Sequence, residues 1–131
     1  MSDSASVVIG GPYPVLDCLH PRELATFYCE LLGWEVADDD TGANDEGWVG
    51  LRSPDGQRMM SLQREARYEP PIWPADGTHQ QMMVHLDFQV ADVDAALAKA
   101  VELGAALTPW QPQADVRVCT DPSGHVFCLF E

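Results

Sequence analysis

Residues 85–105 read HLDFQVADVDAALAKAVELGA and contain the two patterns that decide the fold. Polar and apolar side chains alternate over residues 85–90, which is the two-residue period of a half-buried strand. From Val93 onward the apolar side chains recur at helical spacing. Asp92 is in position to cap the start of that helix, and Gly104 lies just past its end. A strand that leads directly into an amphipathic helix is therefore predicted.

The same arrangement is predicted earlier in the chain. Residues 20–34 (HPRELATFYCELLGW) carry an apolar stripe at helical spacing, with Pro21 in the first turn and Gly33 at the end. Each helix is preceded by one predicted strand and followed by three. Turn sequences at 54–56 (PDG) and 121–124 (DPSG) separate the last two strands of each set. The predicted fold class is therefore α+β, with a β-α-β-β-β pattern that occurs twice.

This internal repeat sets the expected domain organisation. A chain of 131 residues has the length of about one domain. We predict a single domain over 1–131, made of one βαβββ module at 10–66, a Pro-rich connector at 67–81 and a second module at 82–131. The acidic loop at 38–46 lacks the spacing of a calcium loop, so it is interpreted as a solvated hairpin connection.

Charge and cysteine content limit the classes of partner. The chain has 7 Lys and Arg against 21 Asp and Glu, a formal net charge of −14, which would repel nucleic acid and anionic membranes. A cationic small molecule would be attracted. The cysteines form no CxxC pair, and no signal-like leader or long apolar run is present, which favours a reduced, cytoplasmic protein. Cys18, Cys119 and Cys128 fall in predicted strands, where a thiol usually serves as a small core side chain.

The alternating run 84–90 (VHLDFQV) predicts a polar strand face. His85, Asp87 and Gln89 share that face, and the apolar side chains of the run share the other. Buried without partners, such polar groups would cost about 1 to 3 kcal/mol each. Either they bond to one another and to water in a vestigial site, or they contact a ligand.

Three stretches together resemble a known family: 15–36 (VLDCLHPRELATFYCELLGWEV), 85–105 and 121–131 (DPSGHVFCLFE). They look like the glyoxalase, bleomycin-resistance and extradiol-dioxygenase superfamily, also called vicinal oxygen chelate (VOC) proteins, and more closely like its glyoxalase-like members. The resemblance implies two βαβββ modules whose strands form a cup-shaped mixed sheet, commonly completed in a homodimer. In the metal-dependent members, four ligands, usually His and Glu, point into the cup from the first, fourth, fifth and eighth strands.

Those four ligand positions fall on Tyr13, Gln63, His85 and Cys128 of this chain. Of the four, His85 alone is the residue type that the family uses, and the set as a whole suits a tightly held metal poorly. The sequence therefore predicts no full metal site and no cofactor, with a divalent metal on a shifted ligand set as the alternative. Glu131 is three residues beyond Cys128, so strand alternation predicts that it points to the opposite face.

The resemblance and the residues leave three hypotheses for function. The first is a protein that binds a small organic molecule in the cup, with resistance or sequestration as its role. The second is an enzyme, either a lyase or isomerase of the glyoxalase type using His85 with Asp17 or Asp87 as acid and base, or a metal-dependent glyoxalase or dioxygenase. The third is a structural or regulatory dimer whose cup is vestigial.

Further predicted ligand contacts come from aromatic side chains. Trp48, at the start of a strand, and Trp73, in the connector, are placed at the rim of the cup. Large rings beside an acidic surface suit stacking and cation–π contacts with a flat or cationic ligand.

Overall fold

The computed structural model describes residues 7–45 and 47–131, so Glu46 of the acidic loop lies outside the described residues. Its helices and strands follow the predicted order, with a short 3₁₀ turn at Gly42–Asn44. The elements are β1 (Val15–Cys18), α1 (Pro21–Leu32), β2 (Glu35–Asp40), β3 (Trp48–Arg52), β4 (Arg58–Arg64), β5 (Leu86–Gln89), α2 (Val93–Glu102), β6 (Ala106–Leu107), β7 (Val116–Thr120) and β8 (Val126–Phe130).

The eight strands form two four-stranded mixed sheets, one from each half of the chain. The strand orders are β1-β4-β3-β2 and β5-β8-β7-β6. In each sheet the first strand pairs in parallel with the last, and the remaining pairs are antiparallel. The predicted α+β fold with two βαβββ modules is confirmed. As a consequence, β1 and β5 occupy equivalent edge positions.

The ends of both helices agree with the sequence signals. Helix α1 begins at Pro21 and ends before Gly33, whose φ of 72° is a left-handed conformation that glycine adopts without strain. Helix α2 begins after Asp92, whose carboxylate accepts a hydrogen bond from the Ala95 N–H at 3.1 Å. His20, the corresponding residue before α1, makes no such bond. The two helices thus differ in how their first turn is satisfied.

The core is shared between the two halves. Helix α1 buries Leu24, Phe27 and Tyr28, and the Phe27 ring lies 6.0 Å from the ring of Phe127 on β8. The Tyr28 ring lies 6.3 Å from that of Phe88 on β5. Burial of each large apolar side chain stabilises the fold by about 1.5 to 3 kcal/mol. Side chains of α1 therefore join the buried residues of the two halves into one core cluster.

A buried hydrogen bond also joins the halves. Asp121, in the turn before β8, is 4% exposed, and its carboxylate accepts a 2.6 Å bond from the Tyr28 hydroxyl. The backbone N–H groups of Ser123 and His125 donate to the same carboxylate at 2.9 and 3.0 Å. Burial raises the pKa of Asp121 above its ordinary value. These three donors satisfy a carboxylate that would otherwise be costly to bury.

The cysteines are free thiols, and two are fully buried. Cys18 and Cys119 have no exposed surface and lie in the core, as predicted. Burial raises the pKa of Cys119 to about 11, so this thiol stays protonated at neutral pH. Cys128 differs because it is only partly buried. Among the described residues, no helix combines the length and the apolar character needed to cross a membrane.

Candidate functional site

A pocket of about 590 Å³ lies on the outer face of the second sheet. Strand β5 brings Asp87 to it, the residue just before β5 is His85, strand β8 brings Cys128, and the loop before β7 contributes residues 113–115. The remaining lining residues are Val93, Asp94, Val116, Arg117, Phe130 and Glu131. The alternation of β5 explains this placement, because Leu86 and Phe88 turn inward against the core and leave the polar side chains outside.

Three polar side chains meet at this pocket. The His85 Nε2 atom lies 3.0 Å from an oxygen of Asp87. Asp87 is paired with Cys128 across the parallel β5–β8 ladder, and the two side chains share a hydrogen bond. One ligand atom from each of the three residues lies within 4.8 Å of the others. The Asp87 carboxylate therefore contacts both the imidazole and the thiol.

The protonation state of the Cys128 thiol follows from its surroundings. Burial, followed by the nearby Asp87 carboxylate, raises the pKa of Cys128 above its ordinary value of 9.0. The thiol is therefore protonated at neutral pH and donates its proton to Asp87. A protonated thiol is a poor nucleophile, so the cluster does not have the features of a cysteine-nucleophile site.

The pocket carries a strong negative charge. Its lining includes the carboxylates of Asp87, Asp94, Asp115 and Glu131 and a single guanidinium, that of Arg117. The Arg117 Nη1 atom donates to the backbone carbonyls of Gln113 and Val116 at 3.3 and 2.9 Å, rather than to any of these carboxylates. The pocket therefore favours cationic over anionic ligands.

The placement of Glu131 differs from the prediction that it points away from Cys128. It lines the same pocket, and its carboxylate accepts a 3.0 Å hydrogen bond from the Val93 N–H in the first turn of α2. The reason is that β8 ends at Phe130, so strand alternation no longer governs the next residue. A carboxylate at this helix terminus is also favoured by the helix dipole.

A metal ion is implied by the wider superfamily, and the donor set tests whether one fits. Imidazole, carboxylate and thiolate are all zinc ligands, and ligand atoms of His85, Asp87 and Cys128 lie within 4.8 Å of one another. Tyr13 and Gln63 belong to the first half and are not members of that group. The donors therefore fit a three-ligand site within one sheet and not the four-strand set of the superfamily.

Asp17 lies in a different groove. This second groove, of about 260 Å³, is lined by residues of β1, by Tyr68, Glu69 and Pro71 of the connector, by residues 80–84 and by His125. The backbone carbonyl of Asp17 lies 2.7 Å from the His125 Nε2 atom. Asp17 is paired with Gln63 across β1 and β4. The structure thus brings Asp87, and not Asp17, into contact with His85.

The other candidate ligand contacts are dispersed over the surface. Tyr13 is half exposed before β1. The Trp48 ring is covered by the Arg58 guanidinium at 5.6 Å, and the Trp73 ring stacks on that of Trp110 at 5.3 Å. Gln89 is exposed at the end of β5, paired with Phe130 of the pocket lining. The four candidate contacts Tyr13, Trp48, Trp73 and Gln89 do not line the pocket beside His85.

The sequence interpretation missed several pocket residues. Asp94 lies in the first turn of α2, Asp115 lies just before β7, and Arg117 is the second residue of β7. Residues 115–118 (DVRV) alternate and belong to one of the three strands predicted after the second helix, but only the folded sheet, in which β8 lies between β5 and β7, brings Asp115 and Arg117 to the same pocket as His85. Val84 was expected to face the core, but it precedes β5 and is 76% exposed.

Comparison with known proteins identifies the family. A model of the glyoxalase-like domain matches residues 14–130. Comparison by sequence with curated proteins gave no match.

Solved structures share the fold at low identity. A "possible Glyoxalase" from Bacillus cereus is 15% identical with a TM-score of 0.66, covering 95% of this chain and all of the other. The fosfomycin resistance protein FosX from Listeria monocytogenes is 14% identical with a TM-score of 0.66, covering 95% and 93%. A glyoxalase/bleomycin resistance protein/dioxygenase family enzyme from Burkholderia phytofirmans is 15% identical with a TM-score of 0.62, covering 89% and 94%. At these identities the likeness shows the fold alone. Because the family model covers nearly the whole described chain, this protein belongs to the glyoxalase-like domain family.

Proposed function

We propose that this protein binds a small organic molecule in the pocket beside His85, without the superfamily's four-ligand metal site. The observation that carries the proposal is the His85–Asp87–Cys128 cluster at a pocket of about 590 Å³. That volume falls in the usual range for small-molecule sites, and a few convergent polar groups beside apolar side chains are typical of them.

The charge of the pocket limits the class of ligand that can bind. Four carboxylates and one guanidinium favour a cationic or neutral molecule, in line with the net charge of −14. Structural neighbours named as fosfomycin resistance proteins are compatible with a role in resistance or sequestration. Fosfomycin itself carries an anionic phosphonate, which the carboxylates of this pocket disfavour. A sequestered compound with an amine or guanidine group suits the site better.

An enzymatic role is the second candidate, and one contact favours it. The Asp87 carboxylate lies 3.0 Å from His85 Nε2, an arrangement that fixes the imidazole and leaves its other nitrogen for proton transfer. In a lyase or isomerase of the glyoxalase type, His85 would move the proton and Asp87 would orient it. Asp17 lies in the other groove and has no part in this scheme within one chain.

We also propose that the protein forms a homodimer. Tyr13 and Val15 are about half exposed, and Met83 and Val84 are about three-quarters exposed, on and beside the free edge of β1. Apolar side chains beside an unpaired strand edge favour association with a second copy. Light scattering after size-exclusion chromatography tests this, and a monomer at high protein concentration would overturn it.

The ligand proposal is tested with small probes of matched size and different charge. We expect proflavine, a flat cation, to bind saturably by fluorescence titration, and 1-anilinonaphthalene-8-sulfonate, an anion, to bind at least about tenfold more weakly. His85→Ala should weaken proflavine binding, whereas His79→Ala, a change at an exposed histidine outside the pocket, should leave it unchanged. No saturable binding of either probe would contradict the proposal. Turnover of a hemithioacetal by the wild type, lost in His85→Ala, would instead favour the enzyme.

A further inference from the structure

We propose that the ligand of this pocket is a zwitterion, whose anionic group binds to Arg117 and whose cationic group binds to the carboxylates of the lining. This inference rests on the proposed function, because it concerns the same pocket, and it specifies the chemical class of the ligand.

Arg117 differs from other arginines of the chain in its partners. Arg22, Arg52 and Arg58 each form an ion pair with a carboxylate at 3.0 to 3.2 Å. Arg117 shares its pocket with four carboxylates, yet within the described residues it makes hydrogen bonds to backbone carbonyls and no ion pair. Its positive charge is therefore available to a ligand.

The backbone fixes the Arg117 guanidinium in place. The Nη1 atom donates to the carbonyl oxygens of Gln113 and Val116 at 3.3 and 2.9 Å. Both acceptors belong to residues that line the same pocket, so these bonds hold the guanidinium at the pocket wall. An arginine that is already held in this way loses less side-chain entropy when a ligand binds.

The remaining donors of Arg117 suit an acid group. The Nε and Nη2 atoms lie on one edge of the planar guanidinium and direct their N–H bonds in parallel, whereas Nη1 carries the carbonyl bonds. In the part of the chain that the structure describes, neither Nε nor Nη2 donates to a protein group. A parallel pair of N–H groups matches the oxygens of a carboxylate or a phosphonate.

The other charges of the pocket require a cationic group on the same ligand. Four carboxylates face one guanidinium in the lining, so a ligand that carries only an anionic group is repelled. A cationic group on that ligand turns this repulsion into attraction, while the acid group keeps its bonds to Arg117.

The positions of the strands set the length of the ligand. Asp87 lies on β5 and Arg117 on β7, and β8 lies between these strands. Neighbouring strands are about 4.8 Å apart, so the two backbones are separated by about 10 Å. The two charged groups of a ligand that contacts both side chains are therefore separated by several carbon atoms.

The test compares chain-like probes of matched size: 6-aminohexanoate, a zwitterion, hexylamine, a cation, and hexanoate, an anion. Each is titrated into the full-length protein at neutral pH and followed by ¹H–¹⁵N chemical shifts. We expect 6-aminohexanoate to bind at least about tenfold more tightly than either of the other probes, because only the zwitterion satisfies both Arg117 and the carboxylates.

Variants at Arg117 separate a specific contact from general attraction. Arg117→Gln should reduce the affinity for 6-aminohexanoate to that for hexylamine, and should leave hexylamine and proflavine binding equal or tighter, because a like charge is removed. Retained proflavine binding shows that this variant is folded. Arg117→Lys keeps the charge and loses the parallel donors, so it should retain only part of the preference. Arg52→Gln, at an exposed arginine of the first sheet, should leave the binding of all probes unchanged.

The inference is overturned if hexylamine binds to the wild type as tightly as 6-aminohexanoate does, or if the preference for the zwitterion persists in Arg117→Gln. Either result together with saturable proflavine binding would leave the proposed function standing. The absence of saturable binding by proflavine and by all three chain-like probes would overturn both.

Discussion

In each half of the chain, an aspartate on the edge strand is paired with a residue on the last strand of the sheet. In the first half Asp17 pairs with Gln63, and in the second half Asp87 pairs with Cys128. The Asp87 carboxylate contacts the thiol beside it and the imidazole of His85. The Gln63 and Asp17 side chains make no hydrogen bond with each other, and the Asp17 backbone instead bonds to His125. At these paired positions, equivalent topology thus brings polar side chains into contact in the second half and not in the first.

The residue two positions before each aspartate explains much of this difference. His85 precedes Asp87, whereas Val15 precedes Asp17, so the first half has no imidazole at that place. Residues 80–84 line a smaller groove beside β1, while the larger pocket lies on the outer face beside β5. One βαβββ plan therefore supports two different surfaces. A few outward-facing side chains determine which ligands or reactions each half can support, and the fold that both halves share does not.

The largest expected effect tests how the two halves are joined. Asp121→Ala leaves the Tyr28 hydroxyl and two backbone N–H groups without their acceptor, and should lower the free energy of unfolding by about 3 kcal/mol in urea denaturation. Tyr28→Phe should cost about 1.5 to 3 kcal/mol, because it removes a bond to a charged group. Tyr68→Phe, which removes a bond to the neutral carbonyl of Ser123, should cost less. Equal losses for the two tyrosines would contradict this account.

The next largest expected effect compares the aspartates of the two edge strands, Asp87 and Asp17. Asp87→Asn should weaken binding of proflavine by about tenfold, whereas Asp17→Asn should leave it within about twofold, because only Asp87 lines the pocket. Both side chains lie on edge strands and both are exposed, so the two variants are matched in position and in charge change. Fluorescence titration measures the dissociation constant of proflavine for each variant. A larger loss for Asp17→Asn would place the ligand in the other groove.

A smaller effect concerns the thiol. Because the pKa of Cys128 lies above 9.0, its thiolate fraction at pH 8 is below about a tenth, and alkylation should be slow and should rise with pH above 9. Asp87→Asn removes a negative charge beside the thiol, lowers its pKa, and should speed alkylation at pH 8 severalfold. Peptide mass spectrometry with iodoacetamide follows Cys128 and, as the control, Cys29. A rate at Cys128 that Asp87→Asn leaves unchanged would show that the carboxylate does not act on the thiol.

The smallest effect compares the two helix starts. Asp92→Ala removes the carboxylate that accepts a hydrogen bond from the Ala95 N–H, and it should lower the free energy of unfolding by about 1 kcal/mol in urea denaturation. His20→Ala should change stability very little, since His20 makes no capping bond. A loss at His20 equal to that at Asp92 would contradict the assignment of the caps.

These contrasts also show what the sequence could predict. The helix ends were predicted from Pro21, Gly33 and Asp92, because caps are local chemistry that precedes tertiary structure. Alternation predicted that His85 and Asp87 share an outward face. Their contact with each other and with Cys128 depends on the β5–β8 register, which only the folded sheet supplies.

The parts that could not be predicted involve packing between distant segments. Asp17 was grouped with His85 because both halves have the same pattern, but Asp17 lines a separate groove with His125 and residues 80–84. Trp73 was expected at a ligand rim, and its ring stacks on Trp110 instead. Glu131 joined the pocket because β8 stops one residue earlier. None of these outcomes has a local sequence signal.

The central claim is that the ligand site lies on the second sheet around His85, Asp87 and Cys128. Backbone ¹H–¹⁵N chemical shifts, followed during titration with proflavine, test it most directly, because every amide reports its own surroundings. We expect saturable shifts concentrated at residues 85–89, 113–117 and 126–131, with few changes at 13–17 and 61–63. Shifts concentrated at 13–17 and 61–63, with 85–89 unaffected, would contradict it.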